Sequence, residues 1–248
     1  MTVSILAYAV FVVFVAAVVR GFSGFGFSLL TIIALSLVFP PGTIVPAMFM
    51  LEIAAGFHLL PSIWRDIRWR DISVLLAAVI LAMPVGVWLL ATMPEPMMKL
   101  GLAIAVLVAA LVLLSGYRLR RMPTTPETVA TGFASGLLNG AFGIGGPPII
   151  IFFLGSPLAL SAGRASIIAT FLGMDMVGLP MLFAFGVASS ESVLLFALML
   201  PALLAGVWTG TRLVGRFQEE AVRRLVLIIL IGMAILIGAQ AILHLLQR

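Results

Sequence analysis

Four ionisable side chains stand within or beside long apolar runs of this sequence. Glu52 and Asp175 each lie in the middle of such a run, and His58 lies near the end of the run that contains Glu52. Burying such groups in lipid is costly, so their presence indicates function. For Glu52 and Asp175 the hypothesis is a proton relay, and the alternative is a pair with a basic residue or a backbone group. Arg20 follows an apolar run, where it could give an anion a fixed positive charge or anchor the chain at a membrane interface.

A serine lies in a pattern that is associated with covalent catalysis. Ser23 belongs to Gly21-Phe22-Ser23-Gly24, which fits the GxSG pattern of intramembrane serine proteases, with His58 as the candidate base. In a second copy of this motif, Phe142 takes the position of Ser23 while the glycines persist. The motif therefore retains a backbone geometry rather than a nucleophile, and we predict that the protein is not an enzyme and has no catalytic residue.

Metal, cofactor and nucleic-acid chemistry have little support in the composition. The chain has no cysteine and only two histidines, so we expect neither a metal site nor a cofactor. Its net charge of +5 would suit a nucleic acid, but the arginines flank apolar runs, which is the ordinary signal of membrane orientation. We therefore expect the lipid bilayer as a partner and no nucleic acid, while assembly into a homo-oligomer stays open.

Composition and patterning predict an all-α polytopic membrane protein. Hydrophobic residues make up 63% of the chain and charged residues 9%, which leaves too little polar surface to cover a soluble globule. A helix needs about 20 residues to cross the hydrocarbon, and two of the ten apolar pieces fall well short of that and follow glycine-rich breaks, so we predict half-helices there. The pieces are Val3–Val19, Phe27–Phe39, Thr43–Leu60, Ile72–Ala91, Met97–Tyr117, Thr128–Phe142, Pro147–Leu154, Ala162–Phe185, Ser192–Thr211 and Ala221–Leu246.

The two breaks match each other at one constant offset, which indicates an internal duplication. The glycines that correspond in the first and the second break are Gly21, Gly24 and Gly26, and Gly140, Gly143 and Gly145. Pro61 maps onto Pro180 at the same offset, and Gly86-Val87-Trp88 recurs as Gly206-Val207-Trp208 one residue later. With only four tryptophans in the chain, chance is a poor explanation of the last match.

The duplication predicts a single transmembrane domain over residues 1–248, with repeats 1–120 and 121–248. Each repeat holds five pieces, an odd number, so the second repeat is inverted relative to the first if every piece crosses. Ten crossings also place the arginine-rich loops together on the cytoplasmic side, as the positive-inside rule requires. These loops carry Arg65, Arg68 and Arg70, then Arg118, Arg120 and Arg121, and then Arg212, Arg216, Arg223 and Arg224. The alternative is eight transmembrane helices arranged as four plus four.

The glycine breaks are also the predicted binding site. A helix that starts inside the membrane directs free amide N–H groups and its positive dipole end at a ligand, and glycine lets the backbone approach that ligand. The predicted binding residues are Arg20, Gly21, Ser23, Gly24, Gly26, Asn139, Gly140, Gly143, Gly145 and Gly146. The alternative is that the glycines only let helices pack closely, as small residues do in membranes.

The two break motifs resemble those of a known family. RGFSGFGFSLL and NGAFGIGGPPIII, one opening each half of a small polytopic protein, are similar to the paired motifs of the TauE/SafE sulfite exporter family. The resemblance covers essentially the whole chain. It implies a multi-pass transporter of a bacterial inner membrane that moves sulfite, a sulfonate or another small sulfur-containing anion. The alternatives are an intramembrane serine protease-like enzyme that uses the GxSG motif, and a membrane scaffold without transport.

Overall fold

The computed structural model describes residues 3–23, 26–116, 121–213 and 219–246, and the regular structure in those ranges is helical, without strands. Ten α-helices and one short 3-10 turn, Trp64–Asp66, follow one another in the described chain. The α-helices are α1 Val3–Ser23, α2 Phe27–Leu35, α3 Pro41–Ile63, α4 Trp69–Thr92, α5 Glu95–Leu114, α6 Thr125–Phe142, α7 Gly146–Leu154, α8 Leu160–Ala184, α9 Ser190–Leu213 and α10 Glu219–Leu246.

Each apolar piece predicted from the sequence corresponds to one of these helices. The two short pieces are α2 and α7, which have nine residues each. Seven described helices are long and apolar enough to cross a membrane, and α6, with 18 residues, is not among them because its sequence is more polar, with Glu127 and Asn139. The all-helical, multi-pass architecture is thus confirmed.

Two pairs of helices make the closest contacts in the fold, and glycines form both contact surfaces. The first pair is α1 and α9. Gly206 of α9 faces Ala17, and Gly210 lies farther along and faces Val18 and Gly21. Because residue numbers rise together in both helices, α1 and α9 run parallel.

The second pair, α4 and α6, repeats this arrangement. Gly132 faces Leu75, Gly136 faces Val79, and Gly140 faces Met83 and Val87, so these helices are also parallel. We call the α1–α9 and α4–α6 contacts the glycine seams. Small residues allow such close backbone approach, which is how membrane helices gain van der Waals contact when lipid removes the hydrophobic driving force.

The third and eighth helices cross the middle of the molecule in opposite directions. Gly42, near the start of α3, lies close to Val187, which follows α8, and Gly56 lies against Leu172. Beyond the end of α3, the backbone N–H of Arg68 donates to Ser166 Oγ at 3.0 Å. Later residues of α3 therefore contact earlier residues of α8, so the two helices run antiparallel.

The half-helices are enclosed by the longer helices. All residues of α2 except Ser28 are buried, and α7 is mostly buried. The outer faces of α4, α5, α9 and α10 carry large exposed apolar side chains, as a surface in contact with lipid requires. This arrangement brings the ends of α1 and α6 and the starts of α2 and α7 into the protein interior.

Candidate functional site

A buried ion pair links the end of α1 to the middle of α3. Arg20 and Glu52 are 2% and 4% exposed, and Arg20 Nη1 donates to Glu52 Oε2. The guanidinium carbon of Arg20 also lies 5.8 Å from the ring centre of Phe27, the first residue of α2. Within the described part of the chain, Arg20 Nε, Arg20 Nη2 and Glu52 Oε1 have no hydrogen-bond partner. Buried polar atoms are nearly always paired, so these three are available to a ligand.

Asn139 organises the second break. Its Nδ2 donates to Asp175 Oδ1 at 2.9 Å, and its Oδ1 accepts from the N–H of Gly145 at 3.2 Å. Asn139 and Asp175 are both buried. The side chain of Asn139 therefore fixes the start of α7 relative to the middle of α8, with one bond from its nitrogen and one to its oxygen.

A small cavity lies between Glu52 and the pair of Asn139 and Asp175. It has about 10 Å³ of room for the centre of a water molecule, which corresponds to about one water. The cavity is lined by Ser28, Met48, Phe49, Glu52, Asn139, Gly143, Gly146, Phe171, Met174 and Asp175. Both carboxylates and both half-helices thus contribute to one buried space of about one water.

Glycine is required by the backbone at each break. Gly26, which precedes α2, has φ 91°, and Gly143, which ends α6, has φ 69°. This left-handed conformation is costly for residues with a Cβ. The predicted discontinuities are therefore built into the backbone at these two positions.

The start of α7 offers fewer free amides than a helix N-terminus usually does. Pro147 and Pro148 have no N–H, and the N–H of Gly145 is bonded to Asn139. Gly146 alone remains to present an amide from the first turn, and it lines the cavity.

The remaining predicted site residues fall into different environments. Gly21 and Gly140 lie in the glycine seams, where a Cβ would meet the backbone of α9 or α4, so their position supports the packing alternative. Gly24 and the side chain of Ser23 are outside the described residues. His58 is exposed and does not line the cavity, and in the described ranges no group of acidic or histidine side chains could hold a metal ion.

Some contacts of this region were missed by the sequence interpretation. Arg164 of α8 donates from Nη2 to the carbonyl oxygen of Phe22 at 3.1 Å and so joins α8 to the end of α1. Phe171 also lines the cavity. The constant offset between the breaks maps Glu52 onto Phe171, so the second repeat has an apolar side chain where the first has a carboxylate. Ser28, Met48 and similar lining residues carry no signal in the sequence that separates them from other residues of apolar helices.

Comparison with known proteins gives two matches. The family described as "Sulfite exporter TauE/SafE" matches residues 9–237. The chain is also similar to a protein of Cupriavidus necator named "Probable sulfite/organosulfonate exporter TauE", with 24% identity over 200 residues, which cover 78% of this chain and 77% of the relative. No solved structure matches the chain.

Proposed function

The chain belongs to the sulfite exporter TauE/SafE family, and from that premise we propose that it carries a small sulfur-containing anion, such as sulfite or a sulfonate, bound at Arg20 between the two helix breaks. The family match covers both breaks and the described site. The relative's name supports the same class of substrate. We also propose that the protein resides in a bacterial inner membrane.

The observation that carries the proposal is the buried guanidinium of Arg20, two of whose donor atoms have no partner among the described residues. A guanidinium is planar and always charged, and its parallel N–H groups match two oxygens of an oxyanion. The ring of Phe27 and the start of α2 lie beside it. An anion in contact with Arg20 would therefore also meet the positive end of the α2 dipole.

Each half-helix lines the cavity with a neutral donor. Gly146 can donate its amide, and Ser28 brings a hydroxyl from α2. Asn139 holds these elements in place through Gly145 and Asp175. The site is thus asymmetric, with fixed charge from one break and backbone donors from the other.

We further propose that residues 1–248 form one transporter domain with inverted repeats 1–120 and 121–248. The antiparallel course of α3 and α8, which occupy the same place in the two repeats, supports inversion. A parallel four-plus-four arrangement would make these helices parallel. The glycine seams add support, because each joins the first helix of one repeat to the fourth helix of the other.

The size of the cavity defines what transport requires. A space for about one water cannot hold a sulfonate, so α2, α7 or their neighbours must separate before the anion binds. In transporters built from inverted repeats, one repeat or bundle moves against the other around a site near the midplane. We propose the same type of motion here.

Flux measurements on purified protein in liposomes test the proposal. Wild-type protein should carry sulfite and small sulfonates, whereas Arg20→Gln should lose at least about tenfold in flux because the fixed charge is gone. Arg212→Gln is the matched control, since Arg212 ends α9 in an exposed position over the ring of Trp208. This control should transport at the wild-type rate.

A second variant separates loss of function from loss of folding. Arg20→Gln alone leaves Glu52 unpaired in the interior, which costs roughly 3–5 kcal/mol in proteins. The double variant Arg20→Gln/Glu52→Gln removes both charges and should fold. Wild-type flux in this folded double variant would refute the assignment of Arg20 as the anion ligand.

A further inference from the structure

The cation proposed to bind substrate already has an anionic partner. Arg20 donates to Glu52 in the substrate-free site, and both side chains are buried. A sulfonate that takes two N–H groups of the guanidinium must share Arg20 with this carboxylate or replace it. The function of Glu52 therefore depends on the total charge around the site.

Arg20, Glu52 and Asp175 form a buried cluster with one positive and two negative groups when all are ionised. Asp175 lines the same cavity as Glu52, and its only described hydrogen-bond partner is the neutral amide of Asn139. Besides Arg20 on α1 and Asp175 on α8, the elements packed around α3 carry their charges near helix ends. These residues are Arg65, Asp66, Arg70, Asp71, Glu95, Lys99, Arg164, Glu191 and Arg212.

A further anion in this cluster would give at least two negative charges against the one positive charge of Arg20. Like charges repel strongly in a medium of low dielectric constant, and intramembrane ions persist only when they are paired. Glu52 Oε1 has no hydrogen-bond partner in the described structure, and the Asn139 amide is already engaged. Once released from Arg20, the Glu52 carboxylate has no other cation among the described residues that line the cavity.

We propose that Glu52 is a displaceable counter-ion: the substrate anion replaces it on Arg20, and Glu52 takes up one proton as it leaves. This inference rests on the proposed function of Arg20. One anion and one proton enter the site together, so the ion pair Arg20–Glu52 becomes an ion pair of Arg20 with the anion plus a neutral carboxylic acid. For a monoanion, the charge of the cluster does not change.

Because Glu52 takes up a proton when the anion binds, the affinity for the anion depends on pH. If each bound anion brings one proton, the dissociation constant rises by up to about tenfold for each unit by which the pH rises. Asp175 keeps its bond to Asn139 throughout and is not the proton acceptor. His58, on the same helix as Glu52, is exposed and does not line the cavity.

The test is a binding titration of purified full-length protein with methanesulfonate, which remains a monoanion across the range. Dissociation constants are measured at several values between about pH 5.5 and pH 8, a range that lies above the usual pKa of an exposed carboxyl group. Wild-type protein should bind more tightly as the pH falls. Glu52→Gln should bind more tightly than wild type at neutral pH, because the competitor is gone, and should lose the pH dependence.

Two further variants assign the proton. His58→Gln and Asp175→Asn should each keep the wild-type slope of affinity against pH. A slope that persists in Glu52→Gln, or disappears in Asp175→Asn or His58→Gln, would overturn the inference. The wild-type titration decides the matter even if Glu52→Gln does not fold, because pH-independent binding refutes the proton uptake. Absence of sulfonate binding to folded wild-type protein at every pH would instead refute the proposed function.

Discussion

Gly86 of α4 and Gly140 of α6 face each other across a glycine seam, and a Cβ placed on Gly140 would lie 3.1 Å from the Cα of Gly86. A Cβ placed on Gly86 would meet the carbonyl oxygen of Leu137 and would lie 2.7 Å from the N atom of Ala141. These neighbours are backbone atoms, which cannot move aside as a flexible side chain can. The contact therefore depends on glycine at both positions.

Gly86→Ala should destabilise the protein by about 1–3 kcal/mol, the usual cost of overpacking a tight interior. The measurement is the thermal unfolding midpoint of purified protein in detergent. Gly232→Ala is the matched control, because Gly232 lies within α10 with no neighbouring atom near the position of a Cβ. That control should be neutral or slightly stabilising, since alanine favours helix over glycine. Equal midpoints for the two variants would contradict the packing role of Gly86.

Asn139→Ala should destabilise the protein because it removes the partner of both Asp175 and the Gly145 amide. Leaving buried polar groups unpaired costs about 1–3 kcal/mol for each group. Ser135→Ala, one turn earlier on α6, is the control, because its buried hydroxyl has no partner among the described residues. Unfolding in denaturant should separate the two variants. A double-mutant cycle with Asp175→Asn should show a coupling energy, and strict additivity would speak against the bond.

Single cysteines should report the orientation of the chain, which has no cysteine of its own. Asp66→Cys lies in the 3-10 turn after α3, next to arginines, and should be shielded from an impermeant thiol reagent in intact cells. Ser190→Cys, in the exposed start of α9, should be labelled. The opposite labelling pattern would reverse the topology that the arginines predict.

Ser23→Ala should leave most of the anion flux intact. The second repeat keeps its glycines without a serine at the corresponding Phe142, so a hydroxyl nucleophile is not part of the shared architecture. The measurement compares anion flux into liposomes for the variant and the wild type, and size-exclusion chromatography checks that the variant is folded. Near-complete loss of flux in a folded variant would instead establish a specific role for this hydroxyl.

The helices were predictable because lipid imposes a simple rule on the sequence. Every apolar piece became a helix, and the breaks at Gly26 and Gly143 were visible since a left-handed backbone favours glycine. Partners of the buried charges were not predictable. Composition marks Arg20, Glu52 and Asp175 as costly, but their pairing depends on distances between helices that are far apart in the sequence.

The roles of the individual glycines also could not be predicted from the sequence. Gly21 and Gly140 match each other as well as Gly26 and Gly145 do, yet the first two lie in helix contacts and the last two border half-helices. A repeat register identifies equivalent positions without stating what each position contacts. Arg164 shows the same limit, because its bond to Phe22 joins segments that are 142 residues apart.

The glycine seams imply a constraint on how such a protein could have evolved. Each seam joins a helix from before residue 120 to a helix from after it, so a half-length chain would leave the glycine faces of α1 and α4 without partners. On the inverted arrangement proposed above, an ancestral half could bury these faces only against a second copy inserted the other way up. The ancestral half-length protein would have needed to insert into the membrane in both orientations. A strong bias of arginines to one side could arise only after gene fusion had fixed one orientation for each half.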